Sequence, residues 1–122
     1  SIGGITTTAS YADSFTVVDT NLTTQFNCDV DTGTETVATV STTDYSAAFF
    51  DYVVTSASNM RAGNIMSVWD ASSNLNYTET TTTDIGDTSN IQLLVNISAS
   101  RAHLHTVCSS ASWKIKTIIK SI

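Results

Sequence analysis

The final stretch, from Arg101 to Ile122, restricts what this chain can fold into more than any other. Ala102, Leu104, Thr106 and Cys108 alternate with Arg101, His103, His105 and Val107. After Ser109-Ser-Ala-Ser112 the alternation resumes, with Trp113, Ile115, Thr117 and Ile119 against Lys114, Lys116, Ile118 and Lys120. Side chains alternate between the two faces of a strand, so each run is a strand with one mostly apolar side. Two such runs around a short polar break are the sequence form of a β-hairpin. In that hairpin Cys108 faces Trp113 and Leu104 faces Thr117, while His105 meets Lys116 and Arg101 meets Lys120. Directly opposed like charges cost roughly a few tenths of a kcal/mol per pair or more. An acidic group is therefore expected alongside, on the chain's own next strand in preference to another subunit.

The rest of the chain follows the same grammar. Phe15–Asp19, Leu22–Cys28 and Glu35–Ser41 read as short strands separated by the turns Asp19–Asn21 and Asp29–Gly33. Tyr45–Ser56 is the longest apolar run, with Ala48, Phe50, Tyr52 and Val54 on one side and Ala47, Phe49, Asp51 and Val53 on the other. A strand apolar on both sides is central and covered twice, within a sandwich or at a subunit contact. Asn64–Asp70, Leu75–Thr82 and Ile91–Ser98 are further strands, broken at 58–59, 71–74 and 83–90. Breaks recur every 8–12 residues or so and no helical period of useful length occurs, the pattern of an all-β sandwich or barrel. The expected fold is an antiparallel two-sheet β-sandwich of about eight strands, jelly-roll-like. It occupies residues 15–122 and follows an N-terminal arm at 1–14 that carries Gly3-Gly4 and three consecutive threonines.

Composition supports this reading and limits the function. Only 13% of the 122 residues are charged, and Ser and Thr, about a third of the chain, replace the missing charge. Thr, Val and Ile favour a pleated, half-buried surface. There is no proline, so turns rely on Gly, Asn, Asp and Ser. The net charge of −6 is segregated: residues 1–100 hold eleven acids and only Arg61 (1 − 11 = −10), and residues 101–122 hold four cations and no acid (+4). An acidic body argues against nucleic-acid binding, which needs a positive surface to displace counterions. Segregated charge suits self-association. No run approaches the ~18 apolar residues of a membrane helix, and no basic-then-apolar signal peptide opens the chain. It begins with Ser1, so either an initiator has been removed or it is part of something longer.

Each candidate for chemistry has a plainer reading. His103 and His105 share a strand face and could ligate a metal if symmetry supplied further ligands. Arg101 and Lys116 beside them oppose a bound cation, so the pair is better read as part of a cationic interaction face: Arg101, His103, His105, Lys114, Lys116 and Lys120. Asp29-Val-Asp31-Thr-Gly33-Thr-Glu35 faintly suggests a calcium loop but lacks the spacing of a true one, which favours a solvated turn. Asp84 and Asp87 flank Gly86 and read as turn caps rather than paired catalytic carboxylates. Nothing matches a nucleophile elbow, a phosphate loop or a zinc-protease helix. The expectation is therefore a non-enzyme with no catalytic residues and no cofactor. Tyr77 is the best exposed candidate for stacking on a sugar, with loops 71–74 and 83–90 around it. Cys28 and Cys108 read as buried free thiols in preference to a disulfide. The sequons at Asn21, Asn76 and Asn96 matter only in a secreted eukaryotic adhesion domain, a third and weaker reading.

Asn59-Met-Arg-Ala-Gly-Asn-Ile-Met-Ser-Val-Trp-Asp70, followed by Tyr77-Thr-Glu-Thr80, Asp84-Ile-Gly-Asp-Thr-Ser89 and Trp113-Lys-Ile-Lys-Thr-Ile-Ile-Lys120, resembles a small β domain of virion structural proteins from tailed bacteriophages, especially marine ones. The resemblance runs from Tyr45 onward. It implies a non-enzymatic structural or adhesive role in the virion, as capsid decoration or a fibre domain, commonly as a trimer. Together with the arm and the segregated charge, it leads to the expectation of a homotrimer docked on other virion proteins, with the Gly-containing arm as the docking segment. The alternative from a different class is a carbohydrate-binding receptor-recognition module that contacts a host-surface glycan through Tyr77.

Overall fold

The computed structural model describes residues 14–17 and 20–122; the expected arm at 1–14 lies, apart from Ser14, outside them, as does the side chain of Cys28. Nine strands form among the described residues: β1 (Ser14–Val17), β2 (Thr20–Val30), β3 (Gly33–Ser41), β4 (Ala47–Ser56), β5 (Asn59–Trp69), β6 (Leu75–Thr81), β7 (Ile91–Ser98), β8 (Arg101–Cys108) and β9 (Trp113–Ser121). They build two antiparallel sheets, a large one ordered β1-β2-β9-β4-β5-β6 and a small one ordered β3-β8-β7. Jelly rolls share eight strands between two Greek-key sheets. Here the division is six to three, because β4, β5 and β6 run as one meander and only one hairpin, β7–β8, forms on the other side.

Local chemistry explains the turns. Ser56 pairs with Asn59, so β4 and β5 are joined by Ala57-Ser58 alone, with Ala57 at φ 52°. The strand therefore begins at Asn59, five residues before the expected Asn64. At the next turn the Asp70 carboxylate accepts the backbone N–H groups of Ser72 and Asn74, both at 2.9 Å, which lets Ser73 hold a positive φ. The Asn74 side-chain amide also donates to Asp70 Oδ2 at 2.8 Å, and this bond, followed by the backbone ones, holds the Asp70 pKa below the usual carboxylate range.

The core lies between the sheets. Phe50, Val54, Ile65, Ile115 and Ile119 from the large sheet meet Ile91, Val95, Ala102 and Leu104 from the small one, and all are buried. Trp113 is 2% exposed, and its indole N–H donates to Ser110 Oγ at 3.0 Å. The small sheet is too narrow to cover the whole large one. Its shortfall leaves β6 exposed from Asn76 to Thr81.

The terminal hairpin does not form. β8 lies between β3 and β7, and β9 between β2 and β4, so neither has a free edge for the other. Ser109–Ser112 carries the chain from one sheet to the other, with Ser112 at φ 68°. The expected inner residues Leu104, Cys108, Trp113, Ile115 and Ile119 are all buried. They meet across the core from opposite sheets rather than across a turn. This arrangement also removes the opposed like charges, because Arg101 and Lys120 now belong to different sheets.

Candidate interaction surfaces

The six residues expected on one cationic face are divided. Lys114, Lys116 and Lys120 are exposed on the outer side of the large sheet, whereas Arg101, His103 and His105 are on the outer side of the small sheet. The two outer sides differ in chemistry. The small sheet presents Thr36, Thr39, Gln92, Asn96 and the two histidines, with half-buried Leu94 and Val107 between them, a mostly polar face of the kind water covers.

The large sheet presents apolar side chains between its lysines. Leu22 and Phe26 on β2, Ile118 on β9, and Met60, Met66 and Val68 on β5 are 40–58% exposed. The register puts them on one face: Leu22 opposes Lys120, Phe26 opposes Lys116, Met66 opposes Phe49 and Met60 opposes Thr55. Among the described residues they are six of nine exposed large hydrophobics. The double-sided apolar pattern of β4 has its physical reading here, since Ala48, Phe50, Tyr52 and Val54 are buried while Phe49 and Val53 line this outer face. A concavity of about 570 Å³ opens on it, bounded by Phe26, Asp51, Val53, Ala62, Lys116 and Ile118.

The electrostatics of this face are specific. Lys120 Nζ lies 4.8 Å from the Phe49 ring centroid, and Lys116 Nζ lies 5.5 Å from that of Phe26, both within cation–π range. An acid does stand on the neighbouring strand. Asp51 opposes Ile118 and is therefore diagonal to Lys116 and Lys120, and it accepts a 2.6 Å hydrogen bond from Asn64.

A second polar constellation joins the two sheets; of its members the sequence singled out Arg61, as the lone cation before residue 101, and Asp84 and Asp87, as turn caps. Arg61 on β5 reaches into the 83–90 loop, donating to Thr88 Oγ1 at 3.0 Å, Thr88 O at 3.3 Å and Ile91 O at 3.2 Å. Its Nε also donates to the Tyr52 hydroxyl at 3.4 Å, and that hydroxyl donates to Glu79 at 2.5 Å. Burial, and then the bond to Glu79, pushes the Tyr52 pKa up to about 12. Gly63 is required here, because a β-carbon at that position would lie 2.6 Å from the Tyr52 ring. Asp84 accepts the Thr88 N–H at 3.0 Å and Asp87 accepts the Ser89 N–H at 2.9 Å, so both carboxylates cap the loop.

The remaining candidates lie apart from one another. The His103 and His105 rings stack at 5.6 Å with 5° between their planes. His105 Nδ1 is 3.0 Å from Thr36 Oγ1 and its Nε2 is 2.9 Å from Asn96 Oδ1, while His103 Nε2 is 3.1 Å from Ser98 O. With Nε2 protonated, each ring donates to its neighbouring oxygen and Thr36 donates to His105 Nδ1. Three of the four ring nitrogens are thus already engaged. Desolvation, then the charge of His103, lowers the His105 pKa. Glu35 folds over its turn and accepts the Asp31 N–H at 2.5 Å. Tyr77 is 44% exposed, but the 71–74 turn and the 83–90 loop sit at opposite ends of the seven-residue β6, about 20 Å apart. They do not converge on it. Cys108 is a buried free thiol, its pKa raised by burial.

These features define a class: an antiparallel two-sheet β domain whose most distinctive surface is an apolar, lysine-bearing sheet face. No family model matches the chain, and no curated protein matches it in sequence. The fold is similar to part of the crystal structure of the Acinetobacter phage vB_ApiP_P1 tailspike protein, with a TM-score of 0.50 and 14% identity over 98% of this chain. A tailspike protein of Acinetobacter baumannii phage AM24 aligns with a TM-score of 0.42 and 10% identity over 84% of this chain. The chain spans about a quarter of each, 25% and 26% of their lengths. At 14% identity, the property shared with the vB_ApiP_P1 tailspike protein is the fold alone.

Proposed function

We propose that this chain is a non-enzymatic structural domain of a tailed-phage virion, of the tail-fibre or tailspike kind, that assembles as a homotrimer with other virion proteins. The observation that carries the reading is the fold shared over 98% of the chain with part of a phage tailspike protein. That comparison favours the tail over the capsid surface. The exposed apolar face of the large sheet supports an assembly role, since contiguous apolar patches on soluble domains mark interaction sites. A non-catalytic role fits the carboxylates, because Glu79, Asp84 and Asp87 are engaged in holding the loop and the sheet edge.

The test is location and state. Immunogold labelling of purified particles is expected to mark the tail, and light scattering at micromolar concentration is expected to give a trimer. A protein absent from particles and monomeric in solution defeats the reading. Incubation with host-surface polysaccharide is expected to release no reducing ends.

A further inference from the structure

The outer face of the large sheet has a shape and a charge that together specify what covers it. Its apolar residues surround the 570 Å³ concavity, where Phe26, Val53 and Ile118 supply walls that a protruding apolar side chain would desolvate. Lysines stand among these walls, and they are the only lysines in the chain. All three come from β9, at Lys114, Lys116 and Lys120. Asp51 is the acid on this face, so the face balances at 3 − 1 = +2, and the remainder of the chain carries ten acids against Arg61 and Arg101, 2 − 10 = −8.

A second copy of this chain therefore offers exposed acids on its turns, Asp31, Asp44, Asp70, Asp84 and Asp87, to a lysine-bearing apolar face. It does so only if the two copies are not related by a two-fold axis through that face. Face-to-face pairing would bring six lysines together against only two Asp51 carboxylates in a partly desolvated interface, an excess of like charge that repels. We propose that the outer face of the six-stranded sheet is the self-association surface of this chain, and that it meets a different, acidic surface of the next copy. A contact between unlike surfaces closes into a ring when the rotation allows and otherwise propagates. A closed three-fold ring satisfies both the charge pattern and the proposed trimer. The inference rests on the homo-oligomeric reading above and adds which face is used and how it is paired.

The proposal separates cleanly from a two-fold alternative. In sedimentation velocity on the 122-residue chain, changing Lys114, Lys116 and Lys120 to Gln is expected to weaken association by about tenfold or more, because each lysine meets acid in the next copy. A two-fold pairing predicts the reverse, since removing the repulsion would tighten it. Phe26→Ser with Ile118→Ser is expected to weaken association at least as much, with unchanged circular dichroism because both residues are 50% or more exposed. Raising NaCl from 50 mM to 500 mM, for which the Debye length falls to roughly 4 Å, is expected to weaken the wild type and leave the Lys→Gln variant nearly unaffected. Tighter association of the Lys→Gln variant overturns the proposal. So does an oligomer indifferent to the Phe26/Ile118 change, although homo-oligomerisation itself then stands. A chain that is monomeric yet labelled on the phage tail overturns the inference alone and assigns the face to another virion component.

Discussion

Two positions show how narrowly this fold is fitted. Gly63 sits against the Tyr52 ring, so Gly63→Ala must push the phenol away from Glu79 and Arg61. Overpacking of this kind costs about 1–3 kcal/mol; chemical denaturation should show the loss, with an unchanged m-value. Thr117 behaves in the opposite way. It is 3% exposed and its hydroxyl has no hydrogen-bond partner among the described residues, so the fold carries the desolvation of that oxygen without compensation. Thr117→Val keeps the shape and removes the polar atom. It is expected to be neutral or stabilising by up to about 1 kcal/mol. Neither position was distinctive in the sequence. A glycine inside a strand announces a close approach but not to what, and a threonine on an inner face looks the same whether or not its hydroxyl is satisfied.

Among the elements, the contrast between β8 and β9 is the instructive one. Their alternation is unmistakable, and each buries the side that its pattern requires. Alternation fixes which side faces the core and says nothing about the neighbouring strand. The Ser-rich break serves equally as a hairpin turn or as a crossover between sheets. Pairing is settled by which edges remain free once β4, β5, β7 and β3 have found theirs. The 83–90 loop is a second such case. Its anchoring depends on Arg61, whose guanidinium satisfies Thr88 and Ile91 carbonyls far away in sequence. Arg61→Ala leaves the buried Ile91 carbonyl unpaired, while the Thr88 carbonyl keeps the Ile91 N–H at 3.2 Å, and is expected to cost about 2 kcal/mol. Hydrogen exchange should report it as lost protection at Thr88 and Ile91, with little change at β8.

At the scale of the whole molecule, the two sheets are tied by the core and by the Tyr52–Glu79–Arg61 network beside it. Tyr52 is raised from 10.0 to about 12 in the fold, so the folded state keeps its proton where the unfolded chain loses it. Its contribution is therefore fully present below pH 10 and is lost as pH rises from 10.0 to about 12. Melting curves across that window should show a steep decline for the wild type and a shallower one for Tyr52→Phe. Equal slopes would mean that the phenol does not hold its proton as described. Asp84 and His105 act at the other extreme. Both pKa values are lowered in the fold, so the stability each confers is present above its unfolded value and is lost as pH falls through its folded one.

What the sequence determined by itself is local and periodic. The alternation of β-branched and polar residues named the strands, the inner residues and the all-β class, because the two-residue period of a strand is written directly in side-chain order. Charge segregation was legible for the same reason, as a sum that needs no coordinates. The tertiary structure alone decided the partners. It placed β9 between β2 and β4, split the cations between two outer faces, drew Arg61 to a distant loop and left the narrow small sheet unable to cover β6. Those outcomes depend on competition among all strands for edges and area, and that competition is resolved only when the whole chain has packed.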